Sequence, residues 1–291
     1  MSTQYAPPQV SGRDHTTDAD VTIVCPRKGW VALNLQDLWH YRELLYFLVW
    51  RNIKVRYKQT LLGASWALIQ PLATMVVFSV FFGKLAKVPS DGVPYPLFAY
   101  CGLLPWQLFS YAMTESSNSV VSNQQLITKV YFPRLVVPVS AVISGLVDFA
   151  ISFSLLLVMM PFYGVMPTAR ILVLPLFILF AIATALAIGL WLSALNVEYR
   201  DVRYTIPFLT QFWLLLTPVA YPSSLVPAKW RALMGLNPMA GVVEGFRWAL
   251  LGNSSSGSGA LMMVSVVIVI ALLFGGIVYF RRMETTFADL V

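Results

Sequence analysis

Arg51, Lys54 and Lys58 recur at i, i+3 and i+7, so a helix over this stretch carries them as one basic stripe, with Arg56 a further cation beside it. Such a stripe attracts anions rather than catalysing a reaction. Trp39, Tyr46, Trp50 and Tyr57 stand around it, rings suited to the headgroup level of a bilayer. Two uses fit these residues equally: anchoring a helix at a membrane surface, or contacting an anionic lipid headgroup.

The components of catalysis are absent from the sequence. His15 and His40 both fall near the N-terminus, and no His/carboxylate cluster or GxSxG elbow occurs. Cys25 and Cys101 belong to no CxxC pair, so no disulfide framework or metal site is expected. A GxxxxGK[ST] phosphate loop is missing, and Gly83-Lys84 follows a hydrophobic run rather than a Gly-rich turn. The expectation is a chain that is not an enzyme, holds no cofactor and does not bind ATP by that loop. Asp148 and Glu115 lie in or beside apolar runs, where a charge is costly: each marks a pathway or pairs with a nearby arginine. No relay of titratable groups joins them, which argues against proton coupling.

The elements that must position these residues are membrane helices. Only 11% of residues are charged and 58% are hydrophobic, with mean hydropathy +0.70, against about 25% charged in an ordinary soluble domain. Uncharged stretches cover 59–83, 92–114, 171–197, 204–228 and 248–280, and a sixth, 135–169, is broken only by Asp148. Each exceeds the ~20 residues that cross hydrocarbon at 1.5 Å per residue. The fold class expected is all-α integral membrane with six transmembrane helices, about 63–84, 94–117, 135–161, 171–195, 205–222 and 260–280.

The net charge of +7 is explained by topology, because the basic residues border apolar spans instead of forming a soluble nucleic-acid-binding face. With six spans, the side shared by both termini holds fourteen lysines and arginines and the other side six. The positive-inside rule then puts both termini in the cytoplasm. The first 29 residues lack an apolar core before a small-residue cleavage site, so no cleaved signal peptide is expected.

Residues 1–32 read as a disordered cytoplasmic tail. Residues 33–58 read as an amphipathic interface helix, with Leu35, Leu38, Leu45, Val49 and Ile53 at helical spacing and Asn34 as a cap. Gln70-Pro71 predicts a kink whose freed carbonyls a neighbouring helix must satisfy. Residues 118–133 form a cytoplasmic connection, and 196–203, with four charges of alternating sign, a solvated turn able to pair locally or with a soluble partner. The external segment 221–252 is too long and apolar for a loop and is expected to dip back as short helices, before the Ser/Gly connector 253–259 and the last span.

Tyr41-Arg42-Glu43-Leu44-Leu45, then Val49-Trp50-Arg51-Asn52-Ile53-Lys54-Val55-Arg56-Tyr57-Lys58-Gln59-Thr60 and Leu62-Gly63-Ala64-Ser65-Trp66, resemble the permease subunits of type-2 ABC exporters, with the O-antigen polysaccharide branch closest. Tyr131-Phe132-Pro133-Arg134, the 196–203 segment, Leu236-Asn237-Pro238-Met239 and Val243-Glu244-Gly245-Phe246-Arg247-Trp248 carry the same resemblance, over residues 33–291.

The resemblance implies a homodimer around one pore in a bacterial inner membrane, driven by two ATP-binding subunits that carry the ATP and Mg, and exporting a lipid-linked polysaccharide. ATPase-coupling contacts would fall on Gln124, Gln125, Lys129, Phe132, Arg134, Glu198, Arg200, Asp201 and Arg203, and gate helices on 223–251. Arg51, Lys54, Arg56 and Lys58 are candidate contacts for the lipid pyrophosphate. Pore or gate aromatics that could stack on sugars are Trp106, Phe109, Tyr111, Phe208, Phe212, Trp213, Tyr221, Trp230 and Phe246, although belts and helix packing use the same rings. A permease for teichoic acid, capsule, lipid or drug stands as the alternative, with an intramembrane transferase or passive channel further off.

Overall fold

The computed structural model describes residues 39–58, 63–252, 259–284 and 287, all within one unit of the chain, 33–291. The expected tail, the start of the interface helix with its Asn34 cap, and nearly all of the Ser/Gly connector lie outside the described residues. Among the described residues the secondary structure is helical, with no strand. The elements are α1 (Arg42–Lys58), α2 (Trp66–Phe78, continued by a π-helix, Ser79–Leu85), α3 (Tyr95–Ser122), α4 (Gln124–Lys129) and α5 (Val136–Phe162). There follow α6 (Leu174–Glu198), α7 (Val202–Leu216), the short α8 (Ala228–Met234), α9 (Pro238–Leu251) and α10 (Gly259–Glu284).

Four helical stretches are long and apolar enough to cross a membrane: Trp66–Leu85, Val136–Phe162, Ala169–Glu198 and Met262–Glu284. The other two expected spans differ in kind. Helix α3 has 28 residues but breaks its apolar run with polar side chains, and α7 has only 15 residues, about 22 Å against a hydrocarbon core of about 30 Å.

Helix α3 is central: α2, α5, α6 and α9 all pack on it, while α10 packs on α6 and α1 on α5. Lipid supplies little hydrophobic drive between helices, so close approach of backbones matters, and glycines provide it. A Cβ on Gly189 of α6 would sit 2.6 Å from the Ser116 hydroxyl of α3, and one on Gly245 of α9 would sit 2.2 Å from the Phe177 ring of α6. The core around α3 includes Tyr100, Leu104, Phe109, Met113, Phe177 and Phe246. A second cluster joins Leu48 of α1 and Ile127 of α4 to Val120, Val137, Leu190 and Phe280 on the long helices.

Proline in α2 is accommodated by a neighbour. Helix α2 continues through Pro71, which cannot donate to the carbonyl of Ala67 four residues earlier. The Ser152 hydroxyl of α5 donates to that carbonyl at 2.7 Å, and the carbonyl of Ser152 accepts from the Tyr100 hydroxyl of α3 at 3.1 Å. The helical irregularity falls later, in the π-helix of residues 79–85.

Candidate functional site

The basic stripe of α1 is divided between internal partners and open surface. Leu44, Leu45 and Leu48 turn α1 onto the body of the protein, leaving Tyr46, Phe47, Trp50, Lys54, Val55 and Lys58 exposed. Arg51 turns inward: its Nη2 donates to Asn123 Oδ1 at 2.5 Å, on the elbow between α3 and α4, and to Asn52 Oδ1 at 3.2 Å.

Arg56 is drawn to the carboxylate within α5. Its Nη1 lies 2.5 Å from Asp148 Oδ2, and the Tyr57 hydroxyl donates to the other oxygen of the same carboxylate. Burial, reinforced by that hydrogen bond, holds the Tyr57 phenol well above its ordinary pKa. The Arg56 guanidinium also stacks over the Tyr111 ring of α3, 4.2 Å from its centroid. Gly145 makes room for this arrangement, because a Cβ there would come 2.5 Å from the Tyr111 ring. Of the two readings of Asp148, the arginine partner is the one observed, whereas Glu115 is exposed on α3.

The segments expected to couple present two kinds of surface. On α4 and the turn after it, Gln124, Gln125, Lys129 and Tyr131 are exposed, Tyr131 to 76%. Phe132, expected as a coupling contact, is 5% exposed and packs in the second cluster, with Ile127 and Val137, so it anchors the segment from beneath. Arg134 is likewise tied down: its backbone N–H donates to Glu284 Oε1 at 3.0 Å and its guanidinium faces the Phe287 ring. Glu198, Arg200, Asp201 and Arg203 are exposed and make no ion pair with one another. Of the two expected uses of these charges, the local pairing is not formed.

The aromatic candidates separate in the same way. Trp106, Phe109 and Phe246 are buried in the core, where neighbouring side chains pack against them. Trp213 is half-buried with its ring edge against Phe109 and its Nε1 donating to Asn237 Oδ1 at 2.9 Å. Phe208 and Phe212 stack on each other on the exposed side of α7, Trp230 is exposed on α8, and Tyr111 and Tyr221 are partly open.

A lock at the end of α7 is not legible from spacing. The chain unwinds after Leu216, and its carbonyls at Pro218, Val219 and Ala220 accept from side chains. Arg247 of α9 donates to the first two, at 2.6 Å each, and the Tyr95 hydroxyl of α3 to the third at 2.6 Å. The guanidinium also lies over the Phe98 ring, 3.6 Å from its centroid, and Gly102 leaves space for it. Asn237 caps the start of α9 through the Met239 N–H and donates to Thr217 Oγ1 at 3.0 Å. The motif around Glu244 and Arg247 was the available signal, but its partners are backbone groups some 28 residues away.

An all-helical body with membrane-length apolar helices, internally paired intramembrane charge and an exposed charged elbow describes a membrane transport subunit. The family profile described as ABC-2 type transporter matches residues 43–251, and the chain belongs to that family. It is 34% identical over 216 residues to the O-antigen export system permease protein RfbA of Myxococcus xanthus, covering 73% of this chain and 82% of that protein. It is 28% identical over 212 residues to the protein of the same name from Klebsiella pneumoniae, covering 72% and 81%. Identity to the polysialic acid transport protein KpsM of Escherichia coli is 23% over 239 residues, covering 80% of this chain and 91% of that protein.

Proposed function

We propose that this chain is the membrane-spanning subunit of an ATP-driven exporter that carries a lipid-linked, O-antigen-like polysaccharide across the inner membrane of a bacterium. The observation that carries the reading is the 34% identity to an O-antigen export permease over most of both chains. Two copies pair around one path, and two ATP-binding subunits, which bind the ATP and Mg, dock on the cytoplasmic side. The exposed residues Gln124, Gln125, Lys129, Arg200 and Arg203 suit that docking, with Phe132 and Arg134 holding the segment to the membrane domain.

In this reading α3 and α7 join the four apolar helices as the fifth and sixth spans, both termini are cytoplasmic, and α8 and α9 form an external gate. The Arg247 bonds to the end of α7 support the gate assignment, since irregular backbone at membrane depth needs internal partners. Lys54 and Lys58 lie open to a lipid pyrophosphate, with Arg51 and Arg56 reaching the same headgroup if their internal partners release them.

Purification from the native host in mild detergent tests the proposal. An ABC ATPase should co-purify in equal amount, and deletion of the gene should remove a surface polysaccharide. A chain that purifies alone, with the surface glycan unchanged by its deletion, overturns the reading.

A further inference from the structure

The open face of α3 is polar where a lipid-facing helix would be apolar. Between residues 97 and 120 every side chain of α3 is buried except Gln107, Ser110, Tyr111, Thr114, Glu115 and Asn118. These six fall at i, i+3, i+4, i+7, i+8 and i+11, a single stripe about three turns long. Leu103, Leu104, Phe109 and Met113 lie on the buried side.

The stripe lies within the depth of the neighbouring spans. The Tyr111 hydroxyl is 3.3 Å from Ser144 Oγ on α5, and a Cβ on Gly189 of α6 would meet Ser116 of α3. Several hydroxyls elsewhere in the long helices are folded back on carbonyls of their own helix, as Ser117 to Met113, Ser140 to Val137 and Thr184 to Phe180, and that of Ser152 reaches the Ala67 carbonyl of α2. Ser110, Thr114 and Gln107 make no side-chain hydrogen bond among the described residues, and neither does Glu115. Accessible polar groups at this depth must meet water or a polar ligand, because hydrocarbon cannot satisfy them.

The charges beside the stripe do not cancel. Arg56 and Asp148 pair with each other, which leaves the Glu115 carboxyl without an ion-pair partner among the described residues. We propose that the open face of α3 is a wall of an aqueous translocation path, offering Gln107, Ser110 and Thr114 to sugar hydroxyls, with Glu115 favouring neutral or amine-bearing glycans over polyanionic ones. The assignment rests on the exporter reading for its cargo, but the water-filled, charge-selective wall can be measured without cargo or ATP.

The test is thiol labelling of the full chain, assembled with its ATPase in liposomes, after Cys25→Ser and Cys101→Ala. Ser110→Cys and Thr114→Cys are compared with Ser154→Cys, at an exposed position of α5. Water-soluble methanethiosulfonates should modify the two α3 positions, and only a lipid-soluble maleimide the α5 position. The cationic ethylammonium reagent should outpace the anionic sulfonate by about tenfold beyond their ratio on a free thiol, as expected for one charge a helical turn away in a poorly screened site. Glu115→Gln should abolish that excess. Labelling of the α3 positions only by the lipid-soluble reagent, or by none, overturns the wall; an unchanged cation-to-anion ratio in Glu115→Gln overturns the selectivity. Either failure can occur with the co-purifying ATPase and glycan phenotype intact, so it is distinguishable from failure of the exporter reading.

Discussion

Arg56 on α1 and Asp148 on the membrane-length helix α5 form an ion pair 2.5 Å long, placing the end of α1 against the middle of α5. The arginine is 41% exposed and the aspartate 20%, so solvent screens part of the attraction. A double-mutant cycle of Arg56→Ala and Asp148→Ala should give a coupling of about 1 kcal/mol in thermal unfolding in detergent. Additive losses would mean that the pair contributes nothing to holding α1.

Gly145→Ala drives a methyl group into the Tyr111 ring, 2.5 Å away. Neither the ring, with Arg56 stacked on it, nor the α5 backbone can move freely, so the substitution should cost about 1–3 kcal/mol. Thermal melting of Gly145→Ala alone and with Tyr111→Ala checks this, since removing the ring should restore part of the loss.

Ser152→Ala removes the donor to the Ala67 carbonyl that Pro71 leaves without its helical partner. The expected cost is about 1 kcal/mol, and it should vanish in a Pro71→Ala background, where the helix satisfies its own carbonyl. An equal cost in both backgrounds would show that the serine acts otherwise.

The apolar helices follow directly from charge-free runs, which is why 135–161 is matched by Val136–Phe162 and 171–195 by Leu174–Glu198. The demand that Gln70-Pro71 makes on a neighbour is also readable, because a proline removes a donor wherever it lies in a helix. Which residue answers is not readable: Ser152 is 85 positions from Ala67, and Tyr57 is 91 from Asp148. The aromatic candidates divide into buried and exposed for a related reason. Composition offers Phe109 and Phe212 as equivalent rings, and only packing buries the first and exposes the second.

Arg200→Glu with Arg203→Glu should leave the unfolding temperature unchanged, within about 0.5 kcal/mol, because both side chains are exposed and lack ion-pair partners within the segment. The recovery of the ATP-binding subunit on co-purification should fall sharply. Undiminished recovery would remove 198–203 from the docking surface.

Arg247→Met deletes two charge-assisted hydrogen bonds and leaves the Pro218 and Val219 carbonyls buried without donors. A loss of about 3 kcal/mol is expected, with faster proteolysis between residues 217 and 237. Arg247→Lys should rescue little, since an ammonium cannot span two carbonyls as the planar fork does.

Every acceptor of that arginine is main chain, as is the acceptor of Tyr95. The side chain at the half-buried position 220 therefore takes no part in the bonds that hold this corner, whereas Val219 is held in addition by its packing in the core. The bonds at this corner are thus specified by their donors, Arg247 and Tyr95, and by the route of the main chain between 218 and 220.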